Sequence, residues 1–339
     1  MAVDDRGTLY VSYIGYDKET SSLELARSED AGRTFAVQTV TDKHVSDKPE
    51  LAVSPDGKDI SIVYESSPGP RLISSHDAGA TWDEGKVVVP SVGRHFWPTG
   101  LAMGPGGDIW FAVPSMSDAD IQKKLPTTVT LHAFRSSDRG KTWSDSEFGG
   151  SPRILGGCVH DPECGVKVPS IGVAADRGGK AYVAYTEGKA RQPYTLFLKS
   201  SVDGGESWTA ARRLSLARRQ KSADEADCDF VHVAAQGNGR ACVVWMDDRL
   251  GAKNIWARCT ADGGRSWGDE TLLSNRRAGG DDGAASRGIE GFGQFFGHYG
   301  GAAISSSGRL HAAWPEGPYG KEEGAVWVND LDLPTVNQR

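Results

Sequence analysis

Five segments of the chain align without gaps to one eight-residue pattern, Ser/Thr-x-Asp-x-Gly-x-Ser/Thr-aromatic. They run Ser28–Phe35, Ser75–Trp82, Ser136–Trp143, Ser201–Trp208 and Thr260–Trp267, with their first residues 47 to 65 positions apart. Five such matches in one chain mark a structural repeat, and a repeat of this length implies stacked or closed supersecondary units. The chemistry of the pattern is local. An Asp carboxylate and Ser/Thr hydroxyls satisfy turn amides, glycine permits positive φ, and the aromatic ring fills space between units. The five aspartates therefore read as hairpin staples rather than catalytic groups.

Two strand-like runs precede each motif, which defines a unit of inner strand, second strand, third strand, motif turn and outer strand. In the fourth unit these are 171–175, 180–185, 194–199 and 208–212. Further inner strands are expected at 51–53, 100–103, 231–235 and 301–304, and the first near Ala2 to Asp5. The unit from Tyr299 to about Asp332 has three strands and no motif, so five motifs give six units. Its outer strand is expected either from 333–339 or from residues preceding Met1. Repeated four-stranded sheets bury their edges by closing into a ring. The expected architecture is all-β, a six-bladed β-propeller of four-stranded antiparallel blades forming one domain over residues 1–339.

Composition fits this reading. Glycine (43) and tryptophan (10) are abundant, and short β-rich runs alternate with Gly, Asp and Ser clusters. A net charge of -7 argues against a nucleic-acid partner, which needs a basic face. Arg212, Arg213, Arg218 and Arg219 accordingly read as a solvated loop. No run approaches the ~18 to 20 apolar residues of a membrane span. Five cysteines leave one unpaired. Cys158 and Cys164 flank a short loop and are expected to pair, with a zinc site through His160 as the competing reading. A disulfide implies an oxidising compartment, so a secreted or periplasmic protein is expected, its signal peptide absent from this sequence. No motif calls for a metal or cofactor, and a monomer is expected.

In such a blade the motif turn lies on the face opposite the loops that join outer to inner strands and second to third strands. Ligand chemistry belongs to that second face. The loops there offer Tyr16, Asp17, Asp47, Glu65, Arg71, Arg94, His95, Trp97, Asp118, Glu187, Asp227, Asp229, Asp247, Asp248, Arg249, Arg287, His298 and Tyr299. This mix of acidic, basic and aromatic groups suits a glycan or another polar small molecule.

The motif is that of the Asp-box, or BNR, repeat, and over essentially its whole length the chain resembles the sialidase superfamily. The resemblance implies a Tyr nucleophile activated by Glu, an Asp acid/base and an arginine clamp on the substrate carboxylate. On this chain it assigns Tyr299 as nucleophile, Glu187 as its activator and Asp17 or Asp47 as acid/base. Arg249 and Arg287 become carboxylate ligands, with Arg94, Trp97 and His298 as further substrate contacts. Either arginine has an alternative partner nearby in Asp247, Asp248 or Asp281. The family's Arg-Ile-Pro segment has no counterpart, because the strand at Ala2 to Asp5 already occupies that place. Two other classes stay open: a non-catalytic propeller that binds glycan or protein, and a polysaccharide lyase using His160, His298 and Tyr299.

Overall fold

Strand periodicity sends successive side chains to opposite faces of a sheet, and here both faces of a blade are apolar. In the second strand of the fourth blade, Ala181–Glu187, residues Ala181, Val183 and Tyr185 pack against the third blade. Tyr182 and Ala184 pack against the fifth. The second strand of blade 2, Ile60–Glu65, does the same: Ile60, Ile62 and Tyr64 face blade 1, and Val63 faces blade 3. Each sheet is thus sandwiched between two neighbours.

The computed structural model describes residues 1–16, 20–43, 45, 47–123, 127–152, 154–155, 166–189, 192–215, 217–218, 225–237, 239–250, 254–274, 300–316 and 325–333. The blades span 2–41, 47–87, 94–152, 171–213, 229–272 and 301–332, and their antiparallel strands follow chain order from the axis outward. The inner strands are Ala2–Val3, Asp47–Val53, Gly100–Met103, Ile171–Ala175, Asp229–Gln236 and Gly301–Ile304. Blade 3 adds Arg94–Phe96, which pairs with the far end of its second strand, Ile109–Ser117. A two-stranded hairpin, Ile154–Leu155 with Val166–Lys167, precedes blade 4. The molecule is a six-bladed β-propeller. Blade 6 shows three strands among the described residues, and Ala2–Val3 pairs within blade 1 rather than completing it.

Among the described residues, five apolar clusters fill the seams between consecutive blades from 1 to 6. Each fully buried aliphatic or aromatic side chain in them contributes roughly 1.5–3 kcal/mol. The ring is completed at one end of the axis by a depression of 330 Å³. Val3, Val53, Met103, Ala175, Ala235 and Ile304, one from each blade, line it. An ion pair between Asp5 and Arg177 links blade 1 to blade 4 there.

All five repeated motifs fold alike. The Ser/Thr hydroxyl donates to the Asp carboxylate and accepts the Gly N–H at 2.7–3.0 Å. The Asp carboxylate also accepts the N–H and the hydroxyl of the next Ser/Thr. The Thr34 amide and the Thr81 hydroxyl are the main reasons that the Asp30 and Asp77 carboxyls sit at about 2. Groups held there are permanently ionised near neutrality. These turns lie beside the inner-to-second-strand turns: Ala78 N–H donates to Lys58 O, and Gly263 N–H to Gly239 O, both at 2.9 Å. Trp82, Trp143, Trp208 and Trp267 each pack in the seam with the preceding blade. Phe35, at the seam of blades 6 and 1, is exposed.

One expectation is corrected, and one disulfide that the sequence did not suggest is present. Arg212–Arg213 is the outer strand of blade 4 rather than a solvated loop. Arg213 pairs with Glu225 at 3.0 Å, and Arg212 donates to the Gly264 carbonyl at 3.0 Å, so their charge is used between blades. The described disulfide is Cys242–Cys259, between residues directly opposite in the second and third strands of blade 5. Cys158 and Cys164, expected to pair, lie outside the described residues, and Cys228 is buried with its sulfur 4.0 Å from the Ala226 carbonyl oxygen.

Two stability predictions follow from these contacts. Gly205 has φ +89°, and a β-carbon there would meet the Trp110 ring at 3.0 Å. Gly205→Ala should therefore cost at least about 1–2 kcal/mol, read from the urea midpoint, because the left-handed penalty adds to the seam clash. Reduction of Cys242–Cys259, whose residues are 17 apart, should cost about 3 kcal/mol in the same assay. An unchanged midpoint in reductant would refute that assignment of the bond.

Candidate functional site

The inner strands of blades 2 and 5 break register at the same point, just after their first residue. In each, one aspartate folds back on its own strand: Asp47 Oδ1 accepts the Lys48 N–H at 2.7 Å, and Asp229 Oδ1 accepts the Phe230 N–H at 3.0 Å. Lys48 (φ 55°) and Phe230 (φ 45°) are non-glycine residues in the left-handed region. Such bulges re-aim the residues that follow them. Three positions after each aspartate come Glu50 and His232, on opposite blades of the ring. Lys48 acts electrostatically on both. Charges on blades 2 and 5 reach one another only across the axis, so these side chains belong to the central channel. Burial lowers His232 to about 4, helped by positive charge that includes Lys48. Burial raises the Glu50 carboxyl, against the pull of Lys48.

Beside this channel, the last residue of the second strand of blade 2 meets the added strand of blade 3. Glu65 lies 3.3 Å from His95 Nε2, and opposite Asp47 in the sheet register. Burial is the main reason that the Glu65 carboxyl rises to about 7; Asp47 adds to the rise and Lys48 opposes it. Burial also lowers His95, with Asp118 opposing. A carboxyl raised to about 7 thus stands 3.3 Å from an imidazole that burial lowers, close enough for a proton to pass between them. The edge of Trp97 meets the His95 ring at 4.9 Å and 83°.

Arg94 is held by a chain of polar groups through the same blade. Its guanidinium donates to Ser115 Oγ at 2.6 Å and to Thr130 Oγ1 at 3.3 Å. Ser115 Oγ lies 2.8 Å from His132 Nε2, and His132 Nδ1 lies 3.0 Å from Asp145. Because Arg94 is donor only, the Ser115 hydroxyl gives its proton to His132 Nε2, and His132 Nδ1–H faces Asp145. This reproduces the atom order of a hydrolytic triad, but Ser115 is 0% exposed. With its oxygen against a guanidinium and no path for substrate, the chain orients Arg94 instead. His132, Asp145 and Glu147 are also close enough together to hold a cation.

The remaining sequence-derived candidates divide clearly. Asp47 and Arg94 lie on the side of blades 2 and 3 with Glu65 and His95, whereas Trp97, in contact with the His95 ring, packs against the seam of blades 3 and 4. Arg249 does not point freely at a ligand. It pairs with buried Asp247 at 2.6 Å and with Glu270, and it stacks on Trp256 at 3.7 Å. Asp227, Asp229 and Asp248 are also buried, and each accepts a backbone N–H. Glu187 is exposed at the end of its strand, where its charge helps raise the Tyr185 phenol that burial pushes up to about 12. Asp17, Arg287, His298 and Tyr299 lie outside the described residues. Gly300, next to Tyr299 in sequence, lies against His232, its Cβ direction 2.6 Å from Nε2. Sequence reasoning did not single out Lys48, Glu50 or His232. Their signal was an ionisable residue inside an inner strand that otherwise reads apolar.

Solved structures share the fold at low identity. An unknown-function protein from Dyadobacter fermentans is 14% identical, with a TM-score of 0.60, covering 98% of this chain and 93% of its own. The Trypanosoma rangeli sialidase, solved as a covalent intermediate with 2,3-difluorosialic acid, is 12% identical at TM-score 0.57, covering 96% of this chain and 52% of that longer one. An ulvan lyase bound to a GlcA-Rha3S unit is 11% identical at TM-score 0.54, covering 98% and 78%. No family model and no curated protein sequence matches the chain.

The raised Glu65 carboxyl makes a signed prediction. The folded state holds this proton more tightly than the unfolded chain, so stability falls as pH rises from about 4.5 to about 7 and then levels. Glu65→Gln should remove that slope, and the variant should gain up to about 3 kcal/mol on wild type between pH 5 and 8. Parallel unfolding midpoints across this range would contradict the assignment.

Proposed function

We propose that the protein cleaves an acidic glycan at the axial mouth beside blades 2 and 3, with Glu65 and His95 as the proton-transfer pair. The observation that carries this reading is a half-buried carboxyl 3.3 Å from an imidazole, raised to about 7. Lys48 supplies positive charge for a carboxylate on the sugar, and Trp97 supplies an apolar platform. Arg94, fixed by Ser115 and Thr130, offers a second cation at the same seam.

Hydrolysis of the sialidase type is the first form of this proposal. Tyr299 would attack the anomeric carbon, Glu187 would assist it, and Asp17 or Asp47 would stand with Glu65 as acid/base candidates. Arg287 and His298 would complete substrate binding. Arg249 fits this scheme less well than Arg94, because releasing it would strand the buried Asp247 charge. Elimination is the second form, favoured by one specific observation: a neutral base, His95, lies next to a carboxyl that is itself near neutrality, with Lys48 beside it. That set can remove a proton next to a uronate carboxylate while the cation neutralises the developing charge. The Cys242–Cys259 bond supports an oxidising compartment, hence a secreted or periplasmic protein. No helix among the described residues is long and apolar enough to cross a membrane.

Two assays decide between the forms. Hydrolysis predicts fluorophore release from a sialic-acid aryl glycoside, and Tyr299→Phe should abolish it. Elimination predicts the ultraviolet absorbance of an unsaturated uronate from a polyuronate substrate. In either case Glu65→Gln should lower kcat by roughly 100-fold or more with a folded enzyme. No turnover of either substrate at high enzyme concentration would leave the non-catalytic binding propeller as the better reading.

A further inference from the structure

The opposite end of the axis carries a second polar site, away from the Glu65 mouth. There the inner-to-second-strand turns of all six blades meet, and the residue after each turn glycine begins or approaches the second strand: Thr8, Lys58, Asp108, Lys180, Arg240 and Arg309. Three of these use their side chains within the protein. Asp108 pairs with Arg135 at 2.6 Å, Lys180 donates to the Gly263 carbonyl at 2.6 Å, and Arg309 pairs with Asp332 at 2.7 Å. Lys58 is exposed to water. Arg240 is different. It is half-buried, its Nε is sealed from solvent with no acceptor, and its guanidinium has no hydrogen bond or ion pair among the described residues. Arg27 and Arg71 also have a sealed Nε, but each still donates through another nitrogen, to Glu29 and to the Gly85 carbonyl.

A guanidinium left without an acceptor in a partly buried place calls for an external one. Arg240 lines a cavity of 400 Å³ with Arg177, Gly178, Gln236, Gly237 and Ser306. Gly308 makes room for it, since a β-carbon there would stand 2.8 Å from Arg240 Nη1. The nearby carboxylates are already occupied. Asp4 is held by Arg6, Asp5 by Arg177, and Asp176 by the Gly178 and Lys180 amides. The local charge is therefore one unopposed cation, flanked by a second whose ion pair is half-exposed.

We propose that this cavity binds an oxyanion, the sulfate, phosphate or carboxylate group of a ligand, with Arg240 as its principal partner and Arg177, Gln236 and Ser306 around it. The inference does not depend on the chemistry proposed for the opposite mouth. The group belongs either to a free inorganic anion or to an acidic glycan held on the second face of the ring.

The test is calorimetric titration of the folded protein with sodium sulfate at constant ionic strength, and separately with a uronate hexasaccharide. Wild type should bind sulfate saturably, and Arg240→Gln should weaken it by at least about tenfold. Arg240→Lys, which keeps the charge and loses the fork, should fall between them. A parallel weakening of the hexasaccharide would identify a glycan as the source of the group. A hexasaccharide affinity unchanged by the substitution would point to a free anion. Unfolding midpoints without sulfate establish that each variant is folded, and Arg177→Gln, also expected to weaken sulfate, serves if Arg240→Gln does not fold. No saturable sulfate binding by wild type, or equal affinity in the folded Arg240 or Arg177 variants, would overturn the proposal.

Discussion

Everything in this molecule depends on sheets that are apolar on both faces. A strand with period two can offer one face to a core and the other to water, but here both faces meet a neighbouring blade, so the sheet buries itself only by stacking on each side. Five described seams do this with aliphatic residues of the second strand, and in four of them a motif tryptophan inserts toward the blade before it. Stacking in a ring then brings six inner strands to one axis. The seams are mostly apolar, with few polar side chains such as Ser115 and His132. Chemistry is pushed to the two ends of the axis.

The two ends differ in how their charges are spent. At the motif end, aspartates accept several hydrogen bonds from their own turns, which keeps Asp30 and Asp77 ionised and removes them from proton transfer. At the other end, Glu65 lacks such donors and sits in protein beside a further carboxylate, so its proton is retained until about pH 7. Carboxylates here thus hold or lose their protons near neutrality according to how many hydrogen-bond donors and how much solvent face them. Arg94 and Arg249 show the same division among cations. Arg94 is steadied by hydroxyl groups and has no ion pair among the described residues, whereas Arg249 is neutralised by Asp247 and Glu270.

The architecture was legible because its signals are local. The Ser28, Ser75, Ser136, Ser201 and Thr260 motifs each complete their hydrogen bonds within eight residues, so their spacing located five blades, and the strand pattern after Tyr299 added the sixth. Inner strands Gly100–Met103, Ile171–Ala175 and Gly301–Ile304 fell where alternation placed them. The site was less legible, since it is made by residues distant in sequence. Asp47, Arg94 and Trp97 were found as loop residues of the right face, and Glu65 and His95 were among its polar groups. Their pairing depends on the added strand Arg94–Phe96 turning back along blade 3, which no turn signal announced. Lys48, Glu50 and His232 were hidden by inner strands that read as apolar, and the bulges that aim them follow from an aspartate bonding to its own neighbour. The Cys242–Cys259 bond was missed for the same reason: only strand register brings those cysteines opposite one another.

That a sialidase and a lyase share this fold shows how little the ring itself decides. The loops at the mouth can be exchanged without touching a seam, because the apolar clusters lie between sheets and the motif turns lie at the far rim. What cannot be exchanged freely is the electrostatic setting of the axis. Burial is the main reason that the Glu65 carboxyl sits near neutrality, and Asp47 adds to it from a bulge inside the inner strand. Moving that bulge would shift the register of the inner strand against both neighbouring blades. The protonation of Glu65 is therefore tied to the packing of blade 2 through that one strand.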